Sequence, residues 1–260
     1  MKTAIVVGSG AGGATVAREL QGTFQVTVLE AGGAFHPFTG NLNLIEKVKR
    51  GAGRFFNERQ IQWLVPGMKV GRTGDGMLLV NGVGQGGTTT ISTGNAVRQD
   101  HDLKAVGIDL DAEFLELAQE IPIHADHQSR WHAPTQAAYT ACRELGLQPQ
   151  PTPKMVRLEY CIGCGRCVLG CPHGAKWDSR EYLNQAIEKG AELVSGHKVR
   201  EVVIENGRAI GVVAANGRRT QLYRGDLIVL AAGGLGTPVI LQQSGIECRA
   251  SLFVDPVLCV

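Results

Sequence analysis

Apolar residues follow two different periods along the first thirty positions. "TAIVVG" is a continuous apolar run, "ATVAREL" places apolar residues three and four apart, and "QVTVLE" is a second run that ends on Glu30. A continuous run suits a strand buried on both faces, and three-and-four spacing suits an amphipathic helix. Strand, tight turn, helix and strand in that order need a crossover, so the pattern predicts a right-handed βαβ unit and a parallel sheet. Between His36 and Pro66 the pattern weakens, although "LNLIEKVKRGAGRFF" could hold a short helix. Farther on, "DLDAEFLELAQEI", "APTQAAYTACRELG" and "SREYLNQAIEKG" read as helices, the last closed by a glycine cap. "KVREVVIENGRAIGVVAANGRRTQLY" gives three alternating runs parted by Asn-Gly turns, the signature of a β-meander. "DLIVLAAGG" is another buried-strand run, and "GTPVILQQSG" opens a helix with proline in its first turn. The fold class is therefore α/β.

Glycine sharpens this picture. Its 35 residues are concentrated in "GSGAGG", "GVGQGG" and "AAGGLG", where φ is positive or a ligand comes too close to the main chain for a Cβ. Gly8, Gly10 and Gly13 fall in GxGxxG spacing between the first strand and the first helix. Gly8 permits the turn, Gly10 lets a pyrophosphate approach the backbone, and Gly13 lets helix and strand pack closely, with the helix N-terminus facing the phosphates. Glu30, at the end of the second strand, is placed to accept from a ribose diol and to repel a 2′-phosphate. These residues predict a dinucleotide site that disfavours NADP. They leave FAD and NAD both open.

Composition removes other classes. With 43% apolar and 19% charged residues and a formal net charge of +2 over 260 residues, nothing predicts disorder or a nucleic-acid surface. No apolar stretch reaches the roughly 18 residues that span a bilayer. Only "AIVV" separates Lys2 from the glycine run, far short of a signal-peptide core. Seven cysteines, four of them clustered, fit metal ligation in a reducing compartment better than a disulfide framework, and the expected location is cytoplasmic. The last residues, "SLFVDPVLCV", are apolar with no polar tail. They suggest a truncated product, or half of an enzyme whose substrate domain lies on a second chain.

"VVGSGAGGATVAREL…VTVLEAG", "NGVGQGGTTTISTGN" and "AAGGLGTPVILQQSGI" together resemble the glucose-methanol-choline (GMC) oxidoreductases, FAD enzymes that oxidise alcohols. The resemblance runs from Lys2 to about Ile246. It implies that Gly8, Gly10, Gly13 and Glu30 hold the ADP half of FAD, and that Gly84, Gly86, Gly87 and Thr88 line the flavin and its pyrophosphate, with Asn95 close by. It further implies that Val199 holds the adenine through its backbone, and that Gly234, Thr237 and Pro238 belong to the second family signature. Glu247 stands where that signature usually closes on glycine. The family's catalytic histidine lies in a C-terminal region, and none of the seven histidines here matches it, so no catalytic base is named. His124, His127 and His132 form a loose group that reads as surface histidines rather than ligands.

"YCIGCGRCVLGCPHGAK" packs Cys161, Cys164, Cys167 and Cys171 into the CxxCxxCxxxCP run of bacterial ferredoxins. That run predicts a [4Fe-4S] cluster, with Cys171 or a remote thiol (Cys142, Cys248 or Cys259) as fourth ligand, or else a [3Fe-4S] form. Structural zinc is one rival, although its ligands usually come as two separated pairs; a metal-free remnant of the run is the other, since the resemblance to GMC oxidoreductases extends to the trailing "GAK" at Gly174 to Lys176. The expected organisation is an FAD-binding Rossmann-like domain with a β-meander at 1–45 and 195–260, a flavin-contacting glycine segment with helices at 46–150, and an iron–sulfur segment at 151–194. The expected function is an FAD-dependent dehydrogenase that oxidises a CH–OH group of a small alcohol or sugar. Electrons would leave singly through the cluster to an acceptor protein or a quinone. The alternatives are another FAD and iron–sulfur reductase class, an electron-transfer flavoprotein subunit, or an inactive N-terminal fragment.

Overall fold

The computed structural model describes residues 1–41 and 62–248. The short helix expected within 42–56 and the apolar end around Cys259 lie outside them. Along the chain run β1 (Lys2–Val7), α1 (Ala11–Glu19), β2 (Phe24–Glu30) and the hairpin strands β3 (Met68–Arg72) and β4 (Leu78–Gly82). A 3₁₀ turn (Gly87–Ile91) is followed by α2 (His101–Ala105), α3 (Asp111–Glu120), β5 (Ile123–His124), α4 (Ala133–Glu144) and β6 (Lys154–Met155). Then come α5 (Arg180–Glu188), β7 (Glu192–Ser195), β8 (Lys198–Glu205), β9 (Arg208–Asn216), β10 (Arg219–Arg224), β11 (Leu227–Leu230) and α6 (Gly233–Gln243).

The chain divides into two compact units, 1–35 with 67–88 and 179–260, and 36–66 with 89–178. The first unit holds a parallel sheet in the order β11-β1-β2-β7 and an antiparallel meander in the order β10-β9-β8. In β1 the alternation expected of a half-exposed strand is absent because both faces are covered. Ala4 and Val6 are fully buried, as are Ala14 and Ala17 of α1. Ile5 and Val7 instead join Leu29, Val199, Val212 and Ile240 in the core on the meander side. Each buried Val, Leu or Ile contributes about 1.5–3 kcal/mol relative to exposure. Asp226 sets the register at the start of β11: its Oδ2 accepts from Thr3 N–H at 2.8 Å and from the Thr3 hydroxyl at 3.1 Å.

Several local expectations hold. Asn206 and Gly207 both take positive φ between β8 and β9, as a primed turn requires. Gly190, at φ +109°, follows α5 as its left-handed cap. Others shift. The second Asn-Gly turns one residue later than read, because Asn216 still pairs in β9. The last helix begins at Gly233, so Pro238 lies inside it rather than in its first turn. The strands β3 to β7 were not legible: β5 and β6 are two residues long, and β7 is only four.

The second unit carries α2, α3 and α4, none of which has a fully buried residue. Among the described residues no helix is long and apolar enough to cross a membrane.

Candidate functional site

In the first unit, three glycine-rich stretches interleave where β1, β2 and β4 end. Gly8 sits at φ +100°, and a Cβ there would lie 2.4 Å from the Ala231 carbonyl oxygen. A Cβ on Gly13 would lie 1.9 Å from the Gly8 carbonyl oxygen, and one on Gly32 would lie 2.6 Å from Gly84 Cα. These glycines are required by backbone packing alone. Gly10 differs: it caps α1 with φ −71° and ψ −167°, and a Cβ there meets nothing nearer than Gly87 Cα at 3.7 Å. The protein leaves room for a side chain at Gly10, so backbone packing does not by itself require glycine there. The first turn of α1 has no side-chain cap and no acidic residue. Its exposed N–H groups and positive dipole end therefore suit an anionic pyrophosphate.

Glu30 is almost fully buried. Its Oε2 accepts from Ser9 N–H at 3.0 Å and from the Ser9 hydroxyl at 2.6 Å, and its Oε1 accepts from Gly32 N–H at 2.8 Å. A carboxylate offers about four lone-pair sites, so Oε1 keeps one for a ribose hydroxyl. The carboxylate thus has a second task that sequence reasoning missed, which is to tie the glycine turn after β1 to the glycines that follow β2. Ser9 and Ser179, both fully buried, complete that network: the Ser179 hydroxyl donates to Gly86 O at 3.0 Å. Ser9 occupies a variable position of the GxGxxG spacing, so nothing in the motif marks it.

The remaining candidates are placed as follows. Gly84, Gly86 and Gly87 all take positive φ, and Thr88 holds the end of β4 by accepting from Gly82 N–H at 3.1 Å. Gly234, in the first turn of α6, has open space where a Cβ would stand. The Thr237 hydroxyl accepts from Ala232 N–H at 3.1 Å and so anchors that helix start. Val199 is buried in β8, where a register shift between Val199 and Glu201 interrupts the ladder. Asn95 belongs to the second unit, and its side-chain oxygen accepts from Lys154 Nζ at 2.6 Å. Residues that fit the two ends of a flavin dinucleotide are thus present in the first unit, with Asn95 outside it.

The cysteine run does not form the expected centre. Cys161, Cys164, Cys167 and Cys171 are free thiols, and among the described residues no three His, Cys, Asp or Glu side chains gather in a group able to hold a metal ion. The [4Fe-4S] or [3Fe-4S] expectation therefore has no converging donor set here. Positive-φ glycines at 163, 165, 170 and 174 turn the loop repeatedly, and side chains from other segments hold its carbonyls. Arg130 Nη1 donates to Cys161 O at 2.6 Å, and His132 Nε2 lies 2.8 Å from Gly163 O. Burial pushes the Cys167 thiol up, against the opposing pull of Lys176 and Lys154. The three histidines are engaged separately. His127 Nδ1 accepts from Trp131 Nε1 at 2.9 Å, so its Nε2 carries the proton donated to Thr152 O at 2.9 Å.

Known proteins share this fold and parts of this sequence. An uncharacterised GMC-type oxidoreductase of Mycobacterium tuberculosis is 30% identical over 263 residues, covering 94% of this chain and 39% of that protein. A long-chain-alcohol oxidase of Arabidopsis thaliana is 24% identical, covering 94% of this chain and 34% of that protein. An FAD-dependent oxidoreductase from Chaetomium thermophilum superposes with a TM-score of 0.64 at 22% identity, over 95% of this chain and 48% of that one. The chain thus spans about half the length, or less, of the proteins it matches. The GMC oxidoreductase profile matches residues 3–254, and with the parallel sheet and glycine turns found here it follows that the chain belongs to the GMC oxidoreductase family.

Proposed function

We propose that this chain is the FAD-binding portion of an oxidoreductase acting on a CH–OH group. The observation that carries the reading is Gly10, a helix-capping glycine whose Cβ the protein could accommodate, beside uncapped amides and an oriented Glu30. When bound, FAD supplies the two-electron hydride acceptor. The residues of the chain bind and orient it. The α1 amides take the pyrophosphate, and Glu30 Oε1 accepts a ribose hydroxyl. Val199 presents backbone to the adenine beside its ladder break, and Gly84, Gly86, Gly87 and Thr88 line the flavin side. Gly234, Thr237 and Pro238 form the second approach to the cofactor.

The alcohol-type substrate is supported by family membership and by the relative named a long-chain-alcohol oxidase. None of the seven histidines matches the family's catalytic position. We therefore assign the proton acceptor to the part of the relatives' length that this sequence does not span, in cis or on a second chain. No step is routed through an iron–sulfur centre, because among the described residues no three donor side chains form a group able to hold a metal ion. The electron acceptor, a one-electron protein or a quinone, is reached directly from the flavin site in this reading.

The test is titration of the flavin-free protein with FAD and with NADP, followed by anaerobic addition of primary alcohols and sugars to the FAD complex. Stoichiometric FAD binding is expected, with NADP at least about 100-fold weaker because Glu30 opposes a 2′-phosphate. A folded chain that takes NADP in preference to FAD would overturn the proposal.

A further inference from the structure

Lys176 is a charged side chain that the proposed site does not use, yet it is 4% exposed. Its Nζ donates to four main-chain oxygens: Thr89 O at 2.9 Å, Thr90 O at 2.9 Å, Ser92 O at 2.7 Å and Cys167 O at 3.1 Å. An ammonium has three protons, so at least one is shared between two acceptors. Three of the four acceptors terminate the 3₁₀ turn that begins at Gly87. Thr89 O also accepts from the Ser92 hydroxyl at 3.1 Å, and a cation at the end of such a turn meets the negative end of its dipole. Lys176 therefore acts as a C-terminal cap delivered from a distant part of the chain, and its fourth bond reaches the cysteine run.

Two further observations show that the arrangement is built. Lys176 bridges to Val156, and Arg157 N–H and Trp177 N–H donate across the same pair, to Ala175 O at 2.8 Å and Met155 O at 3.0 Å, which fixes the backbone from which the side chain projects. Gly94 takes φ +74°, and a Cβ there would stand 3.2 Å from Lys176 Cγ and 3.3 Å from Cδ. The alkyl stem thus passes through space that only glycine at 94 leaves open.

We propose that Lys176 is a positioning residue for the flavin-facing turn. It fixes Thr89 to Ser92, the direct continuation of Gly87 and Thr88, and makes their placement depend on the fold of the cysteine run through Cys167. The proposal rests on the reading of the glycine segment as an FAD site. It goes beyond that reading by giving the geometry of the turn a single distant anchor and the cysteine run a mechanical role without metal.

The experiment compares wild type, Lys176→Met, Gly94→Ala and the double variant in the full chain. The readouts are amide hydrogen exchange of the flavin-free protein and the dissociation constant and visible circular dichroism of the FAD complex. Lys176→Met is expected to raise exchange in 89–94 and in 167–170 selectively, to weaken FAD binding at least tenfold and to alter the flavin's circular dichroism. Gly94→Ala is expected to do the same, and the double variant to be no weaker than Lys176→Met alone, since both changes remove one interaction. Exchange unchanged in both segments, or independent additive effects of the two substitutions, would overturn the proposal. If Lys176→Met fails to fold, Lys176→Arg takes its place with the same readouts: its planar fork keeps the charge but cannot reach four converging oxygens. If wild type binds no FAD, the cofactor reading falls, and the exchange arm still decides whether Lys176 orders the turn.

Discussion

At the scale of single residues, the glycines of the first motif separate into two kinds. Gly8→Ala places a methyl 2.4 Å from a backbone oxygen at φ +100°, and Gly13→Ala places one 1.9 Å from another. Backbone atoms cannot move aside as a flexible side chain would. Each substitution is expected to cost at least about 2–3 kcal/mol of stability, measurable by denaturant unfolding of the flavin-free protein. Gly10→Ala is expected to leave stability within about 1 kcal/mol of wild type, because its φ is ordinary and its Cβ has room. FAD affinity of that variant should nevertheless fall at least tenfold. Equal destabilisation by all three would show that Gly10 also serves packing alone. The motif made these positions visible, but it did not distinguish their tasks. That difference depends on Ala231 and Gly87, which only the folded chain brings alongside.

At the scale of elements, Asp226 links β11 to β1, and its carboxyl is held below the ordinary 3.8 by the Thr3 N–H and hydroxyl. A depressed carboxylate stabilises the fold above its unfolded pKa, and the contribution is lost as pH falls from about 4 through the lower folded value. Asp226→Asn should therefore flatten the acid limb of a stability–pH curve while leaving its other features in place. A curve parallel to wild type would refute this. The cysteine loop yields a second element-level outcome. Cys164 is exposed, whereas burial raises the Cys167 thiol, so alkylation near pH 8 should modify Cys164 at least about tenfold faster, since the thiolate is the nucleophile. Uniform protection of all four thiols, with iron co-purifying, would restore the cluster expectation. The spacing of that run was fully legible. What it could not convey is that Arg130, His132 and Lys176 hold its carbonyls from outside the run.

At the scale of the whole molecule, ligand binding and stability are linked by mass action. FAD at about 100 times its dissociation constant should stabilise the first unit by about 2.7 kcal/mol, visible as a raised melting temperature, and NADP at the same concentration should not. An equal rise with both nucleotides would show that Glu30 does not discriminate. The apolar faces of the second unit, where Val106 and Leu115 are 72% and 67% exposed, are a molecular-scale feature that hydrophobic patterning could not anticipate. The three-and-four spacing correctly predicts α3 and α4, but periodicity reports which face is apolar and not whether anything covers it.

Local physics made the βαβ unit, the meander, the helix positions and the glycine motif readable, because each depends on contacts within a few residues or on a strict period. A strand buried on both faces has to be continuously apolar, and a turn with positive φ has to use glycine or asparagine, so those signals are written in adjacent positions. The long-range contacts were decided by tertiary structure alone. These are the fourth strand of the sheet, the Glu30 tie to Ser9, and the capture of one turn's carbonyls by Lys176. Each requires two segments about twenty or more residues apart to meet, and a linear pattern carries no record of which segment will arrive.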